Sequence, residues 1–126
     1  MVVDASSILA VLLGEPDADY YRSKMDSADR LWISPVNWWE IQVRLSRMVG
    51  PGREDAVAQT ASSIPMEIVP IDAEQARLAM EAFLRFGRSP ARLNMGDCFA
   101  YALAKQKDLP LLFKGNDFAA TDVKVA

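Results

Sequence analysis

The chain has no histidine. That removes the commonest general base at neutral pH, the Ser-His-Asp and Cys-His nucleophile arrangements, and the histidine-bearing zinc sites. It has one cysteine, Cys98. An intramolecular disulfide is excluded, so a reducing compartment is the simpler expectation. Cys98 itself reads as a small residue of a helix core. Long apolar runs are also missing. The longest early one, Ile8 to Leu13, is too short for a signal peptide or a membrane span, so the expectation is a soluble cytoplasmic protein with no membrane partner. Basic excess is absent too: 14 Lys and Arg stand against 17 Asp and Glu, a net charge of −3. This argues against a protein that coats polyanions through overall charge. It leaves room for nucleic acid held by a local basic patch beside an acidic, metal-filled pocket.

What is present suffices for a real core: 126 residues, 51% of them apolar, fit one domain over 1–126. Strand-like and helix-like segments alternate. Met1 to Val3, Leu31 to Ser34, Met66 to Ile71 and Leu111 to Lys114 read as strands, and Val123 to Val125 as a last edge strand. Helices are expected over Ser6 to Leu13, Asp17 to Ala28, Pro35 to about Met48, Arg53 to Ser62, Ala73 to Phe86 and Gly96 to Lys107. Ser34 before Pro35 is a strong helix start, and Gly50, Pro51 and Gly52 are a strong stop. The alternation implies an α/β fold: a central parallel sheet of four to five strands, flanked by helices and wound by right-handed crossovers. In such sheets ligands bind at the carboxyl ends of the strands, near a switch in strand order.

Three acids fall where that topology places ligands. Asp4 ends the first strand, Glu40 lies early in the third helix, and Asp97 opens the last. A fourth, Asp117, follows the last strong strand. Each also has a plainer role. Asp4 suits a helix N-cap, Asp97 suits the positive end of its helix, Asp117 suits a turn, and Glu40 suits a solvated rim. Glu40, however, shares its side of the helix with Val36, Trp39 and Val43, beside an apolar stripe of Trp38, Ile41, Leu45 and Met48. A carboxylate there is partly desolvated, which is costly unless it is paired or binds a metal. Carboxylates without histidine point to a hard cation, Mg²⁺ or Mn²⁺, which prefer oxygen ligands. Trp38 fits the core stripe, leaving Trp39 as the tryptophan for exposure and a partner surface. Arg85, Arg88 and Arg92 precede Asp97 and are candidates for phosphate contact, with a solvated loop as the alternative.

At these residues the chain resembles the PIN-domain nucleases and, within them, the VapC-type toxins of type II toxin–antitoxin pairs. The resemblance spans essentially the whole chain. It is carried by VVDASSILAVLLGEPDA, PVNWWEIQVRL, LNMGDCFAYALAK and LPLLFKGNDFAATDV. It implies a PIN-like fold and a metal-dependent endoribonuclease cleaving structured RNA, with transfer RNA or ribosomal RNA loops as targets. The implied partners are a small antitoxin that blocks the site and a second copy of the toxin, assembled into larger complexes. The family's acids fall on Asp4, Glu40 and Asp97. The fourth position varies: Gly115 stands where an Asp is common, so Asp117 is the choice, with Asn116 or Asp122 as substitutes. Ser6 matches a Ser/Thr position able to hydrogen-bond an acid or a metal-bound water. The implied roles are Asp4 and Asp97 as metal ligands, Glu40 as a ligand or holder of the attacking water, and Asp117 acting through water or at a second metal. Two alternatives remain. A scaffold that binds RNA or a partner without cleaving is one. The other is an aspartyl-phosphate site, which wants a second Asp where Ser6 stands.

Overall fold

The computed structural model describes residues 1–126. Four short parallel strands form the sheet: β1 (Val2–Val3), β2 (Trp32–Ile33), β3 (Glu67–Ile68) and β4 (Leu111–Leu112), in the order β3-β2-β1-β4. Six helices surround it: α1 (Ala5–Leu12), α2 (Ala18–Asp26), α3 (Pro35–Val49), α4 (Glu54–Ala61), α5 (Ala73–Phe86) and α6 (Met95–Lys107).

The two residues of β1 explain the layering. Successive side chains of a strand point to opposite faces. Val2 joins a core with Tyr101, Leu103, Leu111 and Phe118, built around α5 and α6. Val3 joins another with Ile8, Ile33, Ile41 and Leu112, built around α1 and α3. Leu111 and Leu112 divide in the same way, so the sheet is covered on both sides. Ile8, Ile33 and Ile41 are fully buried, each stabilising by roughly 1.5–3 kcal/mol relative to exposure.

Chain order runs outward from β1 through β2 to β3, then returns to β4 on the other side of β1. This reversal opens a crevice at the carboxyl end of β1. The helices around it start on side-chain caps. Asp4 caps α1, accepting from the Ser6 amide, and Ser34 caps α3, accepting from the Val36 amide ahead of Pro35. Asn94 and Asp97 form a reciprocal capping box on α6. That box moves the start of α6 one residue ahead of the expected Gly96.

The hydrogen-bonded strands are shorter than the sequence suggests. Each strand covers two residues before a helix cap or a turn redirects the chain, and Gly115, with φ 98°, ends the run after β4. The expected fifth strand is reduced to a single parallel bridge between Leu111 and Val125. Met48 is a second correction. Burial on α3 ends at Leu45, and Met48, 58% exposed, lies past the point where the helix covers the core. No helix is long and apolar enough to cross a membrane.

Candidate functional site

The crevice at the end of β1 is a cavity of about 440 Å³ whose lining includes Asp4, Glu40, Asp97 and Asp117. The four acids, 113 residues apart at their extremes, reach it from four places: the end of β1, α3, the first turn of α6 and the turn after β4.

Asp4 is buried, and both of its carboxylate oxygens are engaged. Oδ2 accepts from the Ser6 amide at 2.9 Å and the Ser6 hydroxyl at 2.5 Å. Oδ1 accepts from Asn37 Nδ2 at 3.1 Å. The same Asn37 nitrogen donates to Glu40 Oε2 at 2.9 Å and approaches the Gly96 carbonyl at 3.3 Å. One amide thus ties Asp4, Glu40 and the start of α6 together. Its own oxygen, Asn37 Oδ1, is buried with no partner. Gly96 completes the cradle: a Cβ on this residue would collide with the Glu40 carboxylate. Asp97 Oδ2 accepts from the Asn94 amide at 2.9 Å.

None of Asp4, Glu40, Asp97 or Asp117 is ion-paired. All nine salt bridges of the chain use other carboxylates. Burial therefore pushes the protonation of the cluster upward. Desolvation raises Asp4, against the pull of its Ser6 hydrogen bonds. It raises Glu40, against the Asn37 bond. It carries Asp97 to about 7, with further repulsion from Asp4, Asp117 and Glu40. Asp117 is exposed, yet its charge bears on both Asp4 and Asp97.

Among the fourth-position candidates, only Asp117 lines the cavity. Asn116 is exposed outside the lining. Asp122 is taken by the Tyr101 hydroxyl at 2.7 Å, Arg85 at 3.3 Å and Lys105 at 3.4 Å. Gly115, where the resemblance often has an Asp, occupies a left-handed conformation that an Asp side chain would strain. Ser6 does more than expected. Besides holding Asp4, its hydroxyl accepts from the Lys114 amide at 2.9 Å, fixing the turn after β4 to the end of β1.

The three arginines named as candidates for phosphate contact lie apart from the cavity. Arg85 lies outside the cavity, held by Glu81, Asp122 and the Phe86 ring face. Arg88 and Arg92 are exposed on the loop leading to α6 and do not line the cavity either. The basic residues that do are Arg44, Arg47 and Lys114, and Trp39 stands beside them, 58% exposed. Arg44 and Arg47 follow Glu40 by four and seven residues, a signal of shared helix face present in the sequence. Asn37, three residues before Glu40, carries the same signal. Cys98 is buried, its thiol raised to about 11 by desolvation.

Comparison with known proteins gives one family and consistent neighbours. The PIN domain family model matches residues 1–124. Ribonuclease VapC42 of Mycobacterium tuberculosis is 35% identical over 129 residues, covering 100% of this chain and 98% of that protein. The crystal structure of Mycobacterium tuberculosis VapC20, a sarcin-ricin loop cleaving toxin, aligns with a TM-score of 0.76 at 18% identity, over 99% of this chain and 97% of the other. That of VapBC2 from Rickettsia felis, bound to a DNA fragment from its promoter, aligns at 0.74 and 14% identity, over 98% and 94%.

Proposed function

The chain belongs to the PIN-domain family and, within it, to the VapC ribonucleases; from its acid cluster we propose that it is a metal-dependent endoribonuclease acting as the toxin of a toxin–antitoxin pair. The observation that carries this reading is a set of buried or half-buried carboxylates gathered in one cavity with no cation of the chain paired to them. Buried charges of one sign are unfavourable by several kcal/mol per ion unless a partner compensates them. An all-oxygen donor set with an unpartnered Asn37 oxygen beside it suits Mg²⁺, with Mn²⁺ as a substitute. No three of the acids stand close enough to close a shell around an ion by themselves. Mg²⁺ tolerates this, because it keeps several of its waters.

In this reading Asp4 and Asp97 would hold the metal, with Asp117 at the rim of the cavity as a further ligand or water contact. When bound, the metal would supply an activated water and stabilise charge on the reacting phosphate. Glu40, raised in pKa and fixed by Asn37 and Gly96, orients the attacking water and takes its proton, the part histidine plays elsewhere. Ser6 and Asn37 are positioning residues: their hydrogen bonds set the direction of the Asp4 oxygens.

The substrate is a structured RNA, with transfer RNA or ribosomal RNA loops the first to test. A small antitoxin covering the cavity is the natural inhibitor. The exposed Met80, Phe83 and Leu84 on α5 supply an apolar surface for a second copy of the chain. Purified protein is expected to cleave total cellular RNA with Mg²⁺ or Mn²⁺, and EDTA or Asp4→Asn to abolish it. Undiminished cleavage by Asp97→Asn protein would overturn the assignment. Mapping the 5′ ends of cleaved RNA after induction would identify the target.

A further inference from the structure

The wall of the cavity that carries Glu40 has a chemistry of its own. It is one side of α3. Glu40, Arg44 and Arg47 follow at helical spacing, their backbones about 6 Å and about 10 Å along the axis from that of the acid. Trp39 and Val43 form the row beside them, and all five residues line the cavity. Trp39 keeps 58% of its surface exposed, although a tryptophan ring is among the most favourable side chains to bury. Neither Arg44 nor Arg47 has an ion pair, whereas Arg30, Arg77 and Arg85 each do. Arg47 also lines a second cavity, of about 360 Å³, together with Arg53 and Glu54. Arg44 and Arg47 thus place two unpaired positive charges past Glu40 on the C-terminal half of α3.

We propose that this wall is an RNA subsite in which Trp39 stacks on a base next to the reacting phosphodiester, while Arg44 and Arg47 pair with the phosphates that follow. The proposal rests on the nuclease reading and adds to it where the strand lies and what reads it. Aromatic faces accept any base, and arginines beside them hold the backbone, the combination found wherever single strands are bound. A protein segment fits less well. It would have to bring carboxylates to Arg44 and Arg47, next to a floor that is already acidic. RNA carries its own charge in a backbone and its flat faces in the bases, matching the two rows of α3. Stacking on Trp39 requires an unpaired base, so the subsite selects loops over continuous duplex.

Binding measured in EDTA separates this subsite from cleavage. The probes are an oligoadenylate about 12 nucleotides long and an abasic ribose-phosphate strand of equal length, followed by fluorescence anisotropy. Trp39→Ala is expected to weaken oligoadenylate binding roughly tenfold or more and to leave the abasic strand unaffected. Trp39→Phe, which keeps a ring, should restore most of the loss. Arg44→Gln with Arg47→Gln should weaken both strands and flatten the salt dependence by about 1.4 in log–log slope, about 0.7 for each phosphate. Equal losses on both strands for Trp39→Ala, no loss at all, or no binding by the unaltered protein at near-millimolar concentration would overturn the proposal. So would unchanged RNA binding joined to a changed sedimentation mass, which would make Trp39 a protein contact. A protein that binds bases through Trp39 yet never cleaves RNA with added metal would retain the subsite and refute the nuclease reading instead.

Discussion

Two faces of the molecule carry comparable numbers of charged side chains and treat them in opposite ways. On the face made by α5, α6 and the C-terminal segment, Arg77 pairs with Glu74 and Glu81, and Arg85 with Glu81 and Asp122. Lys105 also reaches Asp122, which the Tyr101 hydroxyl secures. On the cavity face, Asp4 and Asp97 are buried and Glu40 is half-buried, and no base neutralises them; a few residues along α3, Arg44 and Arg47 are equally unpaired. The first face is complete by itself. Its pairs are exposed and worth little individually, and they leave nothing for a ligand to compensate. Apart from Lys114, which pairs with Glu15 and Asp17, the second face holds opposite charges near one another without letting them pair. In the proposed reading, a cation at the acids and an anion at the arginines supply what this face leaves open.

The largest effect should follow from removing an acid. Asp4→Asn or Asp97→Asn is expected to lower RNA cleavage on the order of 10²–10³-fold or more, measured as initial rate at saturating Mg²⁺. If the same substitution at Asp122, on the self-neutralised face, lost as much activity, the contrast between the faces would fail.

A smaller loss is expected from the residues that aim the acids. Asn37→Ala removes the one amide shared by Asp4 and Glu40 and should cost roughly 10–100-fold, with a higher Mg²⁺ concentration needed for half-maximal rate. Gly96→Ala should resemble it, because the added Cβ displaces the Glu40 carboxylate while the helix itself tolerates alanine well. A melting temperature lowered as severely as the activity would mean that both residues serve the fold and not the site.

These two positions also show where sequence reasoning reached and where it stopped. The bounds of α5, Ala73 to Phe86, were legible from Asp72 as a cap and from the apolar period. The start of α3 was legible from Ser34 and Pro35. Asp4 and Glu40 stood out because an ionisable group at a strand end or on an apolar helix side is locally anomalous, whereas Asp97 at a helix start and Asp117 in a turn drew their weight from the resemblance. Asn37 has no such mark: a neutral amide in the first turn of a helix is ordinary until Asp4, more than thirty residues away, is packed against it. Arg44 and Arg47 share the helix face of Glu40 by spacing but otherwise look like solvated helix arginines. The folded chain adds the pairing pattern that separates them from Arg85, whose partner Asp122 lies on another segment. Met48 continued the apolar period of α3, but periodicity records the side a residue faces and not how far the core extends.

The cavity face should also reveal itself in stability. Asp97 titrates at about 7 in the fold and near 4 in an unfolded chain. The folded state therefore binds more protons between those values, and stability falls as pH rises through that window. In EDTA the protein should become steadily less stable from about pH 4 to about pH 7. Asp97→Asn should remove part of that slope and melt several degrees higher at pH 8, the order expected for about 1–2 kcal/mol. Added Mg²⁺ should stabilise the unaltered protein and leave Asp97→Asn nearly unchanged. A variant less stable than the parent in EDTA at pH 8 would show that the capping bond to Asn94 outweighs the uncompensated charge.

The smallest effect is the most direct test of the comparison. Arg85 was a reasonable phosphate contact on sequence grounds, but its guanidinium is spoken for by Glu81 and Asp122 and lies over the Phe86 ring. Arg85→Gln should change stability by no more than about 0.5 kcal/mol and leave the salt slope of RNA binding where it was. Arg88→Gln with Arg92→Gln, on the loop that enters α6, should lie between Arg85→Gln and the α3 pair, since both side chains are exposed without an ion pair but stand outside the cavity. A slope reduced by about 0.7 on losing Arg85 alone would mean that RNA breaks the Arg85–Asp122 pair to bind. The face that looks neutralised would then be a second, latent part of the RNA path, and pairing within the free protein would no longer mark a surface as unavailable to ligand.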